Sequence, residues 1–263
     1  MEKAPRRALV LALLLLATGA MAQETPLYRP SQDAELWISG GIELRLDKDA
    51  QKRIKKAKDG RESGKLTGED LERAEQRAAK AERSFKNRFR MSGELGYRGN
   101  ENLTSGKLIY TVLGMRYRPH KYARLTMEHR YNFRGPYSSN THRIDVQADT
   151  DKNFGRFTAG YRLVYQHEFV VPIRYRDILR NRFQLAYRTK AFPVDPYLSA
   201  ESFTAFHYTG NKLIGLRYGI GAEWQLDKDH ALDLSLRHDR EQNLPGLKYR
   251  WIFGIAYEFK WRK

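Results

Sequence analysis

The chain has 263 residues, with 48 Lys and Arg against 31 Asp and Glu and no cysteine. A formal charge of +17 invites a nucleic-acid reading, but no RNA- or DNA-binding motif accompanies it, and the missing cysteines exclude both a disulfide framework and an acylated lipoprotein anchor. A mean hydropathy of −0.72 resembles that of a soluble protein, yet a membrane β-barrel reaches such an average because half its strand positions face a polar interior.

From the N-terminus, Lys3, Arg6 and Arg7 precede an apolar stretch from Ala8 to Ala17 and an Ala20-Met21-Ala22 motif before Gln23. This is the pattern of a secretory signal peptide, so residues 1–22 are expected to be cleaved and 23–263 to form a single exported domain, away from nucleic acid. The apolar run is shorter than the roughly 20 residues of a spanning helix.

Residues 33–46 predict a first strand, with Leu36, Ile38, Ile42, Leu44 and Leu46 sharing a face around Gly40. Residues 48–86 form a charged insertion: thirteen Lys or Arg against eight Asp or Glu, few apolar residues, and Gly60, Gly64 and Gly68 as breakers. Its second half, 68–84, predicts an exposed helix, with Thr67 as N-cap, Asp70 three residues on, and Lys80, Arg83 and Lys86 at the basic end. The insertion reads as a solvated, partly helical loop or plug; the alternatives are binding of lipopolysaccharide phosphate or of a periplasmic partner.

Ten further strands follow by period-2 alternation, near 87–99, 107–119, 121–134, 141–151, 154–168, 178–191, 196–207, 212–227, 230–240 and 247–261. Connections at 118–121, 150–153, 191–195 and 227–230 are short, and those between are mostly longer. Outer-membrane barrels have short periplasmic turns, so the insertion is expected to replace one of them and the C-terminus to lie on that side. The count of eleven conflicts with the even number usual in bacterial barrels. Either the first strand lies outside the wall, giving ten, or a further crossing gives twelve.

The last segment is the clearest. Leu247, Tyr249, Trp251, Phe253, Ile255, Tyr257, Phe259 and Trp261 share one parity, as an outward lipid-facing side would. Tyr97, Tyr117, Tyr131, Tyr187, Tyr218 and Trp224 fall near strand ends, as an interfacial girdle requires.

The opposite parity defines a lumen charge network: Arg116, Arg124, Glu128, Arg130, Arg143, Arg162, Arg182, Arg188, Glu201, Arg217, Glu223, Arg237 and Glu258, joined by Arg90, Glu94, Asp145, Asp233 and Lys260. Guanidinium and carboxylate forks form bidentate pairs that fill a small bore, whereas the excess of arginine would suit a narrow anion-attracting channel. Acyl transfer needs a hydroxyl, a base and an orienting group together. His129, His142, His167, His207 and His238 are instead scattered among Ser92, Ser199, Ser202 and Ser235, and His129 shares the apolar parity. No catalytic residue, metal site or cofactor is expected; His238-Asp239 alone is commonplace.

The segments Tyr175-Arg176 through Arg180-Asn181-Arg182-Phe183, Pro196-Tyr197-Leu198-Ser199-Ala200-Glu201-Ser202-Phe203 and Leu216-Arg217-Tyr218-Gly219-Ile220-Gly221, with Glu35-Leu36-Trp37 and the Tyr117 strand earlier, resemble the bacterial family called domain of unknown function 2490. The resemblance implies an outer-membrane β-barrel and no particular activity; the insertion departs from the family pattern. Gly254, Tyr257 and Phe259 also resemble the C-terminal assembly signal of such barrels, implying the barrel assembly machinery as a partner.

The expected protein is an all-β transmembrane antiparallel up-and-down barrel of 10–12 strands in the cell outer membrane of a Gram-negative bacterium, surrounded by outer-membrane lipids including lipopolysaccharide. Its expected role is structural or that of a narrow channel. The alternatives are a lipid-modifying acyl hydrolase or transferase and a soluble periplasmic small-ligand-binding barrel.

Overall fold

A computed structural model describes residues 30–46, 48–120, 122–134, 139–169, 177–189, 192–206 and 210–262. The leader, Tyr175, Arg176 and His207 lie outside them. The wall is built from β1 (Ser31–Arg45), β2 (Phe89–Asn100), β3 (Ser105–His120), β4 (Ala123–Phe133), β5 (Thr141–Phe154), β6 (Phe157–Glu168), β7 (Asp177–Tyr187), β8 (Val194–Phe206), β9 (Lys212–Gln225), β10 (His230–Glu241) and β11 (Lys248–Arg262). The insertion forms α1 (Lys48–Glu62), α2 (Gly68–Arg83) and the single turn α3 (Phe85–Arg88).

The eleven strands close into one barrel in sequential order. Each neighbour pairs antiparallel except at the seam, where β1 and β11 run parallel from Ser31 opposite Lys248 to Arg45 opposite Arg262. Neither the ten-strand nor the twelve-strand alternative holds. The first strand is in the wall, and an odd number of alternating strands leaves the first and last pointing the same way, so the seam has to be parallel. Closure satisfies both edges of β1, which pairs antiparallel with β2 on its other side.

The two ends of the barrel differ. The β3–β4, β5–β6, β7–β8 and β9–β10 turns share one end with the helical insertion and the end of β11, as the alternation of loop lengths predicts. The β5–β6 connection is a two-residue hairpin between the paired Phe154 and Phe157, with Gly155 at φ +65, the positive value that the first position of a II′ turn demands. In the β9–β10 turn, the backbone N–H groups of Asp229 and His230 donate to Asp227 Oδ1 at 2.7 and 2.9 Å, holding that carboxyl below the usual carboxylate range. The start of β1 lies at the opposite, loop end.

The insertion corrects the sequence reading in two ways. Residues 48–62 are helical too, and α1 packs against α2 as a hairpin in which Ala57 and Ala81 are buried. Gly60 is no breaker: it lies inside α1, where the Leu66 side chain fills the space a Cβ would take. Gly64, at φ +63, does end the helix, as a left-handed residue just past a C-terminus should. Thr67 stands at the N-cap of α2 in extended geometry but makes no side-chain capping bond. The hairpin is rooted on the wall through α3. Buried Asn87 accepts from Gln51 at 3.0 Å, Arg88 donates to the Pro119 carbonyl at 3.1 Å, and Phe85 stacks on Phe89 outside the barrel.

The outward side is apolar around the wall. Leu95, Ile109, Leu113, Met115, Leu125, Met127, Val146, Phe183, Leu198, Ile220, Leu234 and Phe253 are all exposed. Charge is buried inside: Glu35, Glu43, Arg130, Asp145, Asp149, Glu201 and Asp239 are less than a tenth exposed. Among the described residues no helix is long and apolar enough to cross a membrane.

Candidate functional site: the ionic lumen

Period-2 geometry sends alternate side chains of each strand into the bore, and their contacts fall into three groups. At the hairpin end, Glu43 on β1 gathers three guanidinium groups, accepting from Arg45 Nε at 2.6 Å, Arg90 Nη1 at 3.2 Å and Arg116 Nη1 at 2.9 Å. Arg90 and Arg116 are directly opposed on β2 and β3, so Glu43 neutralises a like-charge cross-strand pair.

Toward the loop end, a ladder of ion pairs crosses five strands. Arg180 on β7 binds Glu201 on β8 at 2.8 Å, Arg217 on β9 joins Glu201 at 3.5 Å, and Arg217 forks onto Asp239 on β10, with its Nη2 at 2.7 Å from Oδ2. Arg250 on β11 continues to Glu241 at 3.0 Å. On the facing wall a second series runs down to the hairpin end: Arg143 donates to Asp145 at 2.7 Å, Arg162 to Asp149 at 2.6 Å, and Arg124 lies 2.6 Å from Asp151.

The third group is cationic and aromatic. The Arg98 guanidinium lies 3.8 Å from the Trp37 ring centroid, and Arg217, from three strands away around the wall, lies 5.1 Å from the same ring. Arg130 stacks at 3.6 Å on Tyr110, Arg237 stands 5.7 Å from Trp37, and Arg180 and Arg217 flank Phe203 at 5.2 and 5.0 Å. Trp37 is held by its Nε1–H bond to buried Glu35 at 2.7 Å. Stacked cations and rings thus link β4, β3, β2, β1, β9, β8 and β7 through the interior.

The structure brings together Arg116, Arg124, Arg130, Arg143, Arg162, Arg217, Arg237 and Glu201 in these contacts, and Arg182 donates to Gln184 at 3.0 Å. Glu128 lines the interior and forms no ion pair among the described residues. Arg188 and Glu223 are exposed and line a cavity at the hairpin end, while half-exposed Glu258 lies 3.9 Å from Lys260. Glu43, Arg98 and Tyr110 are lumen residues that the sequence reading did not single out, and Trp37 and Arg180 entered it only through the family resemblance. Arg98 and Arg180 share parity with Arg90 and Arg182, a signal that was available.

Three adjoining cavities of about 360, 310 and 330 Å³ occupy the middle and hairpin-end parts of the bore. Glu94, Glu128 and Asp233 border both the first and the third; Arg162 and Arg182 border both the first and the second. Among the described residues no three His, Asp or Glu converge as a metal site would need. His129 and His142 meet on the outside of the wall, 3.4 Å apart.

The family described as "Protein of unknown function (DUF2490)" matches residues 78–250. The chain belongs to this family. The match runs from within α2 to the start of β11, so β1, α1 and the residues Gly254, Tyr257 and Phe259 lie beyond it. Among solved structures, a chain titled "Bacterial polysaccharide outer membrane secretin" is similar at 11% identity and a TM-score of 0.42, with 60% of each chain covered. No match was found among curated proteins.

Proposed function

We propose that this DUF2490 chain is an integral outer-membrane β-barrel whose lumen is held shut to bulk solute by its own charge network, with a structural rather than catalytic role. The observation that carries this reading is the opposition of the two faces: an apolar belt outside every sector of the wall, and buried arginine and carboxylate inside. A soluble barrel would put the apolar face inward. Gly254, Tyr257 and Phe259 then serve as the assembly signal, on the strand that closes the seam.

Ion conductance in a planar bilayer tests the closed lumen. Unmodified protein is expected to be silent, and Trp37→Ala combined with Arg98→Ala to give discrete steps with an anion-favouring reversal potential. Steps from unmodified protein would replace the structural role with that of a narrow anion channel, the second reading, which the three adjoining cavities along the bore favour.

The parallel seam supplies an independent test. The chain has no cysteine, so single cysteines report cleanly. With short turns on the periplasmic side, Ser31→Cys at the loop end should react in intact cells with a membrane-impermeant maleimide. Lys228→Cys, in the β9–β10 turn, should react only after the cells are opened. Labelling of both in intact cells would sink the topology.

A further inference from the structure

We infer that the mid-lumen cavity is a binding site for a phosphoryl oxyanion, clamped by Arg98, Arg130 and Arg143. Opposed arginine pairs in the barrel are met in two ways: Arg162 and Arg182, across β6 and β7, rest separately on Asp149 and Gln184, whereas another pair shares one acid. Arg90 and Arg116 face each other across β2 and β3, and the chain supplies Glu43 between them. Arg130 and Arg143 face each other in the same way across β4 and β5, without such a bridge. Asp145 pairs with Arg143 through Oδ2, and its Oδ1, buried in the same cavity, has no hydrogen-bond partner among the described residues. Arg130 is 5% exposed, its Nε donates only to the Asn132 amide oxygen at 2.9 Å, and its Nη2 is buried with no partner.

Arg98 completes the cluster. It shares the Tyr110 ring with Arg130, at 5.4 Å against 3.6 Å, and its buried Nε has no partner either. Among the described residues neither Arg98 nor Arg130 forms an ion pair, and both line the 360 Å³ cavity. Like charges directly opposed are destabilising, and a buried guanidinium donor without an acceptor costs more than a neutral one. A tetrahedral oxyanion offers several acceptors to planar guanidinium forks and occupies the place that Glu43 fills in the other pair. Two further cavities border this one on the hairpin side, so a solute entering from that end would have the shortest way to it. The cavity exceeds a bare phosphate ion and falls in the size range of small-molecule sites, so a phosphorylated small solute fits it as well.

The proposal rests on the closed lumen proposed above. Conductance tests that reading and binding in detergent tests this one, so either can fail alone. Inorganic phosphate titrated calorimetrically into the refolded barrel, in a non-ionic detergent at low salt, should bind saturably at one site, with sulfate competing and chloride not. Arg98→Gln and Arg130→Gln should each weaken binding at least tenfold, and Lys228→Gln should leave it unchanged; resistance to SDS without boiling confirms that each variant is folded. Should Arg130→Gln fail to fold, Arg98→Gln, partly exposed and outside the ion-pair ladder, gives the same reading. A sugar monophosphate binding more tightly than phosphate identifies a phosphorylated solute as the ligand, and equal affinity identifies the free ion. Absence of saturable binding, or binding that folded Arg98→Gln retains in full, overturns the proposal.

Discussion

Glu43→Ala is expected to cost the refolded barrel about 3 kcal/mol of unfolding free energy, because it strips the common partner from three arginines at once. Glu43 is 5% exposed and lies within 3.2 Å of Arg45, Arg90 and Arg116 donors. Removing one member of a buried ionic cluster leaves uncompensated charge behind, and here the Arg90–Arg116 repulsion across β2 and β3 is released as well. The figure stands at the low end of the usual range because Arg116 keeps a third of its surface and water relieves part of the penalty. Glu69→Ala is the contrast. Its partner Arg73 sits 2.9 Å away one turn along α2, but both are more than half exposed, so the loss should stay below about 0.5 kcal/mol. Denaturant unfolding followed by tryptophan fluorescence measures both. Equal small losses would mean that the hairpin-end cluster is solvated and contributes little.

Much of the fold was legible because a barrel wall writes its two faces directly into residue parity. β11 shows this best: Trp251, Phe253, Ile255 and Tyr257 are exposed on the outside, and Ile252 between them is fully buried. The parallel seam was not legible, since a strand alternates in the same way beside a parallel neighbour as beside an antiparallel one, and parity does not name the partner. Doubt over whether β1 belonged to the wall also hid its polar face, and with it Glu43 and Trp37. Helix α1 escaped for a different reason. Its only apolar side chains are Ile54, Ala57 and Ala50, too few for a stripe, and its contact with α2 depends on small residues and on Gly60 admitting Leu66.

The lumen was half legible. Parity placed the arginines, but which carboxylate each one meets depends on strand register, which no single strand encodes. Arg217 illustrates this: its partners Glu201 and Asp239 come from the strands on either side, set opposite it by the β8–β9 and β9–β10 registers.

The sharpest test of the membrane reading compares two apolar residues of similar exposure at different heights along the barrel. Leu113 is 67% exposed halfway along β3, and Phe192 is 71% exposed in the β7–β8 turn. In water, each would be a surface residue whose change to arginine moves stability by no more than about 0.5 kcal/mol. In a bilayer their depths separate them. Arginine at the hydrocarbon midplane of a barrel wall costs about 2–4 kcal/mol, falling to about 0–1 kcal/mol near the interface. Leu113→Arg should therefore destabilise the barrel in phospholipid vesicles by about 3 kcal/mol, and Phe192→Arg by less than 1. Opposed His129 does not offset the cost, since it sits on the same outward face and adds no carboxylate for the new cation. Equal, near-zero effects for the two variants would make the apolar belt a water-exposed or protein-covered surface, and the barrel would then have to be sought outside the membrane.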